Sequence, residues 1–534
     1  MSFLAEMLGL EEAVPFSIKV TIALCCAVLY LSYKFVTKHS DYWHKQGVKF
    51  IKPVPIFGSV ASNFLLKEHL SETSQRWYKE NAGQPFIGYF RGRSPTLMIF
   101  DPELIKQIFI KDFSHFSDRG FQFNEETDPL RALNLFNLGG QRWREMRSKL
   151  VPTFTSGKMK GMFPLMVECS KQFDEHLQLM ADRHDVFEAK DLLGCLFTDI
   201  IGSCIFGVKC NAIKEPKNVF RVMGKRLVDV KLFQALKVFF AVFQPEVARI
   251  LKIRTMDEEV QNFFINLTRD MIQHRKKNSI VRNDFLQLLM ELKDKGRVTI
   301  ANDDEDASLE NENFQESYTP FRFDDTDLAA QATIFFLAGF ETSSSAVSFA
   351  LLELAVNPDI QRKAHSEIDE QLAKCDGKIT YETLKEMKYL EWIADETLRK
   401  YPAVAVHFRM CNKKYTLPGK NITLEKGMHV AIPNYALQND PKYFANPKKF
   451  DPERFSSDDI LNKLQHIYTP FGLGPRQCIG NRFAMVQTKL ALLTFLQKYT
   501  VSICEKTRFP VKFDAKQFIP TAKDGIWLQI KKRG

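Results

Sequence analysis

Apolar positions recur mostly with a helical period along the chain, and one apolar run near the start stands apart from that pattern. Residues 20–33 (VTIALCCAVLYLSY) contain no charge and are bounded by Lys19 and Lys34. Fourteen residues are short for a membrane span of about 20. Both lysine side chains can extend towards the headgroups, however, which lengthens the usable stretch to about 19 residues. The run therefore predicts one uncleaved anchor helix within residues 1–37.

The charges around this run predict its orientation. Three glutamates precede it and five lysines follow it: Glu6, Glu11 and Glu12, then Lys34, Lys38, Lys45, Lys49 and Lys52. Positive flanks stay on the cytosolic side of a membrane, so residues 1–37 are expected to form a luminal tip and the anchor, and the bulk of the chain is expected to be cytosolic. A cleaved secretory signal would carry its positive charge before the apolar run and a small-residue site after it. No second apolar segment of spanning length is expected.

The rest of the chain predicts one large, mainly α-helical domain with a minor β component. Residues 38–58 form a basic, proline-containing connector, and residues 59–534 form the catalytic domain. Charged amphipathic stretches at 141–150 and 257–277 favour helices. Strand-like runs occur at 86–89, 96–100 and 526–530.

Two segments have unusual compositions. Residues 232–251 are strongly apolar and interrupted by Pro245; they fit either a core helix pair or a segment that dips into the membrane surface. Residues 302–316 are acidic and almost free of apolar side chains, which predicts a solvated loop.

Composition limits the possible classes of protein. Hydrophobic residues make up 45% and charged residues 26%, and 74 basic against 64 acidic residues give a net charge of +10. These values exclude collagen-like, wholly disordered and multi-span membrane proteins. The basic excess suits an anionic membrane or an acidic protein partner, and we expect no nucleic acid partner. The ten cysteines have no CxxC spacing and are too sparse for a disulfide scaffold.

A long helix is predicted between the capping residues at 325–327 and the stop at 357–358. About 30 residues would span roughly 45 Å, so this helix must cross the molecule. Its centre (AGFETS, 338–343) contains Gly339, a buried acid and a hydroxyl. The Thr342 hydroxyl can bond a carbonyl one turn back and open a polar groove. The alternative is a core helix with a small residue at a close crossing.

A glycine-rich loop at 470–480 presents Cys478 immediately before a predicted helix at 481–496. The positive end of a helix dipole and nearby amide N–H groups favour a thiolate. Arg476 is placed to meet an anionic group. One thiolate is too few for structural zinc but is sufficient as the axial ligand of a haem. The alternative is a buried cysteine in a glycine-rich turn.

These motifs resemble those of the cytochrome P-450 haem-thiolate monooxygenases. Five family signatures occur in order along the chain: W-x-x-x-R at Trp143 and Arg147, A-G-x-[DE]-T-[ST] at 338–343, E-x-x-R at Glu396 and Arg399, P-E-R-F at 452–455, and F-x-x-G-x-R-x-C-x-G at Phe471, Gly474, Arg476, Cys478 and Gly480. With the anchor and connector, the resemblance covers nearly the whole chain. The sequence around the connector and the centre of the long helix is most similar to the microsomal insect branch, which is associated with foreign compounds.

The resemblance implies a role for each matched residue. A haem b would lie between the long helix and the helix after the cysteine loop, with Cys478 as the iron ligand. Glu341 and Thr342 would form the catalytic acid–alcohol pair. Haem contacts are expected from Trp143, Arg147, Ala338, Arg409, Phe471, Arg476 and Gly480. Substrate contacts are expected from Phe121, Phe123, Phe335, Ala338, Ala403, Val404, Val406 and Phe518. Glu396, Arg399 and Arg454 would form a buried structural network.

The resemblance also implies a reaction and its partners. The enzyme would insert one oxygen atom from O2 into a lipophilic molecule, such as a xenobiotic, plant toxin, insecticide, endogenous lipid or hormone. The chain has no nucleotide-binding glycine fingerprint, so electrons from NADPH would arrive through a separate NADPH–cytochrome P-450 reductase, with cytochrome b5 as a second candidate donor. The expected location is the endoplasmic reticulum membrane. Three alternatives remain open: a haem-thiolate isomerase or dehydratase that does not use O2, a non-catalytic haem carrier or sensor, and a membrane-tethered helical scaffold.

Overall fold

The computed structural model describes residues 16–228, 250–296, 323–457 and 464–533, together with isolated positions at 234, 237–238, 241, 248 and 462. Residues 1–15 of the predicted tip-and-anchor segment, most of the apolar segment 232–251 and the acidic loop 302–316 lie outside the described residues. The expectations for these three segments therefore stay predictions.

Helices dominate the described part of the chain, as the sequence predicts. They are α1 Phe16–Thr37, α2 Tyr42–Lys45, α3 Ala61–Phe64, α4 Leu70–Glu80, α5 Pro102–Lys106, α6 Pro129–Ala132, α7 Gly140–Leu150, α8 Ser156–Asp182, α9 Ala189–Ile201, α10 Val219–Val228, α11 Glu258–Asn278, α12 Phe285–Lys295, α13 Asp325–Val356, α14 Pro358–Ala373, α15 Tyr381–Glu386, α16 Lys388–Lys400, α17 Asn434–Gln438 and α18 Asn481–Leu496.

The strands form three small sheets at the edges of the helical body. They are β1 Phe86–Arg91, β2 Ser94–Ile99, β3 Val186–Glu188, β4 His407–Met410, β5 Tyr415–Thr416, β6 Thr423–Leu424, β7 His429–Ile432, β8 Tyr499–Ile503 and β9 Trp527–Lys532. The largest sheet has the order β1-β2-β7-β4, in which β2 and β7 run parallel. A second sheet has the order β3-β9-β8, and β5 pairs with β6. Three of these strands lie where the sequence predicts them, and the other six, which have two to five residues each, were not predicted.

Helix α13 is the centre of the core and has 32 residues. Asp324 caps it with a side chain that accepts from two backbone N–H groups of the first turn, and Asn357 ends it immediately before Pro358. It packs against α6, α9, α11, α16 and α18. At Gly339 an added Cβ would lie 2.5 Å from Ile201 of α9. The close crossing that the sequence left as one interpretation therefore exists.

The N-terminal helix α1 leaves the body of the protein, and none of its residues is buried. Two described helices are long and apolar enough to span a membrane, α1 and α13. The sequence predicted one segment of spanning length, and this prediction is wrong because α13 is also long and apolar enough. Two thirds of the apolar window of α13 is buried inside the protein, which marks it as a core helix.

A tryptophan connects the segment after α1 to the catalytic domain. Trp43 is completely buried, and its indole N–H donates to the Tyr89 carbonyl at 3.2 Å. A Cβ on Gly88 would lie 2.4 Å from the indole ring. The ring therefore packs flush against strand β1, which fixes the connector to the largest sheet.

Candidate active site

The backbone of the cysteine loop closes as a tight turn before helix α18. The Cys478 N–H donates to the Phe471 carbonyl at 2.8 Å, and the Gln477 N–H donates to the Gly474 carbonyl at 2.8 Å. Gly474 has a φ of 67°, and an added Cβ would lie 2.2 Å from the backbone oxygen of Phe109. Both the left-handed conformation and the close approach require glycine here.

The Cys478 thiol is accessible to a cavity inside the protein. Burial raises its pKa, while the backbone N–H of Gly480 and the cations Arg147 and Arg119 act in the opposite direction. The thiol is therefore surrounded by the groups that stabilise a thiolate, yet desolvation outweighs them. A cation bound to the sulfur would reverse this balance, so the site fits a cysteine that ligates a metal.

The cavity has a volume of about 290 Å³ and brings most of the predicted site residues together. Besides Cys478, the residues that line it include Phe121, Trp143, Arg147, Phe335, Ala338, Thr342, Ala403, Val404, Val406, Arg409, Phe471, Arg476, Gly480 and Phe518. A Cβ added to Gly480 would meet only the Phe154 ring, at 3.7 Å. The cavity is apolar except for the thiol, a few hydroxyl, amide and imidazole groups, and a cluster of arginines.

Two predicted site residues do not line this cavity. Phe123 lies beside the Arg131 guanidinium instead, which is 5.7 Å from its ring centre. Glu341 is not among the lining residues of α13, because it lies about 100° around the helix from Thr342 and directs its carboxylate to Lys190 of α9.

Glu341 is buried and pairs with a lysine that the sequence analysis missed. The Lys190 ammonium on α9 lies 2.5 Å from a Glu341 carboxylate oxygen and also donates to the Thr521 hydroxyl at 2.8 Å. One fifth of the Lys190 side chain remains exposed, against 6% for Glu341. The acid therefore has one link towards solvent, through Lys190. The two residues are 151 positions apart, and no local pattern could have indicated the pair.

The Thr342 hydroxyl donates to the Ala338 carbonyl at 2.6 Å, one turn back along α13. The sequence predicts this bond. The predicted local opening of the helix is absent, since α13 remains α-helical throughout. Beside this bond, at neighbouring positions of α13 that also line the cavity, the Gln487 amide of α18 donates to the Gly339 carbonyl at 3.0 Å and to the Ser343 hydroxyl at 2.5 Å. This bond fixes α18, and with it the cysteine loop, against the centre of α13.

Four arginines converge at one part of the cavity wall: Arg119, Arg147, Arg409 and Arg476. Burial lowers the pKa of Arg476 and Arg409, and repulsion from Arg119 lowers both further. The carboxylate that faces Arg476 among the described residues is Asp118, at 3.5 Å. Burial and Arg147 likewise lower the pKa of Arg119 to about 10. The cluster therefore has an excess of buried positive charge, which fits a dianionic ligand.

The donors of these arginines are partly used by the protein itself. Arg476 donates to the carbonyls of Ser117 and Leu138, both at 2.7 Å. Arg409 leaves its Nε buried with no hydrogen-bond partner among the described residues. Its other nitrogens donate to backbone carbonyls. A buried donor without a partner is costly, so the Nε of Arg409 is a second observation that fits an acidic ligand here.

Arg119 is a member of this cluster that was not predicted from the sequence. Its guanidinium donates to the Arg476 carbonyl at 3.0 Å and lies 4.1 Å from the centre of the Phe136 ring. A lone arginine in a loop is usually a surface charge. Its place beside the cysteine loop is visible only in three dimensions.

The predicted structural network is assembled beside the cysteine loop. Arg399 donates from two nitrogens to Glu396 at 2.6 and 2.9 Å, and both side chains are fully buried. Arg454 lies 3.4 Å from the same carboxylate. The network continues through Gln438, which accepts from Arg399 at its carbonyl and from the Thr469 N–H at its side chain. Thr469 immediately precedes the loop, so the network holds the residue from which the loop starts.

The fold and the site together define a haem-thiolate protein. The site combines an accessible thiol at the start of a helix, a cluster of arginines that fits the two carboxylates of a haem, and a long helix with a hydroxyl across the cavity. A comparison with family models matches residues 49–528 to the cytochrome P-450 family. The chain belongs to that family, and it is a haem-dependent monooxygenase that acts on small molecules. Its signature residues are all in their predicted order.

The most similar relatives found are insect enzymes. Cytochrome P-450 9e2 of Blattella germanica is 38% identical over 532 residues, covering 96% of this chain and 98% of that protein. The probable cytochrome P-450 6a13 of Drosophila melanogaster is also 38% identical, with 96% and 98% covered. Cytochrome P-450 6a2 of the same organism is 37% identical, with 96% and 99% covered. The resemblance to the insect branch is confirmed.

Proposed function

We propose that this chain is a membrane-anchored monooxygenase that receives electrons from NADPH through a separate reductase and oxidises lipophilic foreign compounds. The observation that carries this proposal is the arrangement of the cavity. Its Cys478 thiol, arginine cluster and Thr342 hydroxyl share one space with apolar walls. An enzyme that oxidises apolar molecules needs all of these elements in one enclosure.

Cys478 and the arginines would hold the cofactor. When bound, the haem supplies reductive activation of dioxygen, and a thiolate ligand favours cleavage of the O–O bond. Cys478 would serve as that ligand, with the Gly480 N–H bonded to its sulfur. Arg119, Arg147 and Arg409 would donate to the two carboxylates, since charge-assisted bonds from guanidinium groups are strong out of water.

Thr342, Glu341 and Lys190 would handle protons. Thr342 presents its hydroxyl to the cavity, while its own proton is held by the Ala338 carbonyl, so its oxygen is free to accept a hydrogen bond. Glu341 lies one residue away and meets the exposed part of the protein through Lys190. Lys190 is a positioning residue in this scheme, because it acts through Glu341.

The substrate would occupy the apolar part of the cavity. Phe121, Phe335, Val404 and Phe518 form its wall, and Phe518 is 60% exposed, so it lies at the mouth. Apolar walls of this kind select ligands by burial of hydrocarbon surface. The proposal therefore favours lipophilic xenobiotics over polar metabolites.

The proposed location is the endoplasmic reticulum membrane, with the catalytic domain in the cytosol. Helix α1 has 22 residues, about 33 Å at 1.5 Å per residue, and none is buried. The lysines after it favour a cytosolic exit. NADPH–cytochrome P-450 reductase is the proposed electron donor, with cytochrome b5 as a second donor; the net charge of +10 suits acidic partners.

The test is spectroscopic and then catalytic. Reduced protein under carbon monoxide should show the strongly red-shifted Soret band of a thiolate-ligated haem, and Cys478→Ser and Cys478→His should lose both the band and turnover. With reductase and NADPH, the wild type should hydroxylate lipophilic probes. Turnover of hydroperoxides without NADPH would instead indicate an isomerase or dehydratase. Haem binding without any turnover would indicate a carrier or sensor.

A further inference from the structure

One imidazole lines the cavity between its apolar wall and the arginine cluster. His407 begins strand β4, directly after the wall residues Val404 and Val406, and it is among the cavity-lining residues. Its Nε2 lies 3.0 Å from the Thr469 carbonyl oxygen. A carbonyl oxygen only accepts hydrogen bonds, so Nε2 must carry the proton.

The protonation state of the ring follows from its surroundings. Burial, together with repulsion from Arg409 and Arg119, lowers the pKa of His407 to about 4, although the bond to Thr469 acts in the opposite direction. The imidazole is therefore neutral at physiological pH. A neutral ring that is protonated at Nε2 has a lone pair at Nδ1. No residue in the described part of the chain donates to this Nδ1.

The contacts of Thr469 hold the His407 ring in the orientation that leaves Nδ1 available as an acceptor. The Thr469 residue is held at three points: its N–H donates to Gln438, its hydroxyl donates to Asn434, and its carbonyl also accepts from the Gly472 N–H at 3.0 Å. A ring flip would place a lone pair against that carbonyl oxygen. The orientation of His407 is thus fixed by the same contacts that hold the start of the cysteine loop.

We propose that Nδ1 of His407 is a specificity-determining hydrogen-bond acceptor, which selects lipophilic substrates that carry one hydroxyl or N–H donor. This inference rests on the proposed function, because it assigns part of the same cavity to substrate. Ala403, Val404 and Val406 before it offer no polar side chain, and the guanidinium groups of Arg409 and Arg119 can only donate, so Nδ1 supplies an acceptor that these neighbours do not. A site built to receive a hydrogen bond discriminates against ligands that lack the donor, because its own polar atom is then left unpaired.

The experiment compares three ligands of similar shape: 4-hydroxybiphenyl, 4-methoxybiphenyl and biphenyl. Their dissociation constants are measured by equilibrium dialysis against the full-length protein, and independently from the ligand-induced Soret shift. In the wild type, the hydroxylated probe should bind roughly 3- to 10-fold more tightly than the methyl ether, the range of one neutral hydrogen bond.

Three variants separate recognition from structure. His407→Leu should bring the ratio of the two dissociation constants close to one. His407→Gln should restore part of it, because its amide can donate to the Thr469 carbonyl and still offer an oxygen to the ligand. Val404→Ala is the matched control, since it alters the same wall without an acceptor and should change both affinities alike.

The inference is overturned if the wild-type ratio is close to one, or if His407→Leu keeps the wild-type ratio. A change in haem content or ligand-free spectrum with an unaltered ratio would also overturn it and assign His407 to the loop alone. Absence of the red-shifted Soret band from the wild type would refute the haem-thiolate proposal separately, and the dialysis ratio would still decide the role of His407.

Discussion

Replacing Arg399 with alanine tests whether the buried network holds the cysteine loop. The Arg399 side chain makes two bonds to Glu396 and one each to the carbonyls of Gln438 and Pro447, with both charged side chains fully buried. Loss of one member of a buried pair strands the other charge at a cost of about 3–5 kcal/mol. That equals a change of roughly 150- to 5,000-fold in the folding equilibrium.

The expected result is protein that misfolds or fails to retain haem, measured as the reduced carbon monoxide spectrum per mole of chain. Denaturant midpoints of whatever soluble protein remains should fall as well. Arg399→Lys should be intermediate, since an ammonium cannot reproduce the two-nitrogen contact. The exposed pair of Arg183 with Asp185 supplies the control: Arg183→Ala should cost below about 1 kcal/mol. An Arg399→Ala protein with full haem content and an unchanged midpoint would refute this reasoning.

Three further substitutions test the proton path and the loop. Thr342→Ala should uncouple the enzyme, so that NADPH is consumed and hydrogen peroxide is released with less product; unchanged coupling would remove Thr342 from the path. Lys190→Met removes the cation that pairs with Glu341, so we expect lower coupling of NADPH consumption to product at unchanged haem content, whereas a purely structural role would lower stability alone. Gly474→Ala places a Cβ 2.2 Å from a backbone oxygen and should abolish haem retention. Its control is Gly419→Ala, at a glycine with the same φ of 67° and open space around it, which should lower the free energy of unfolding by only about 1 kcal/mol. Equal effects of the two substitutions would contradict the clash.

Much of the helical frame could be predicted because its signals are local. The caps and stop of α13 fall within one residue of their predicted places, and α18 has its predicted bounds. The short strands β4 and β7 could not be predicted. Their pairing joins residues such as His407 and Ile432, and a four-residue run carries too little periodicity to distinguish a strand from a loop.

At the site, most of the residues predicted to contact haem or substrate line one cavity, whereas several residues that support the site were not predicted. Lys190, Arg119 and Gln438 act through partners that are far away in sequence, and none has a spacing that points to its role. Glu341 illustrates the opposite case. Its motif assigns it to the site, but helix geometry turns it away from the cavity and towards Lys190.

The arginine cluster links the stability of this part of the cavity wall to the negative charge of the bound ligand. Arg476 donates hydrogen bonds to the carbonyls of Ser117, Leu135 and Leu138. It therefore connects the segment 117–138 to the cysteine loop. These hydrogen bonds satisfy the guanidinium geometry but leave its charge facing Arg119 and the other arginines. The wall is therefore formed by groups that repel one another, with Asp118 as the nearby carboxylate. A dianionic ligand offsets that repulsion where it is strongest, so its binding and the ordered loop must stabilise each other.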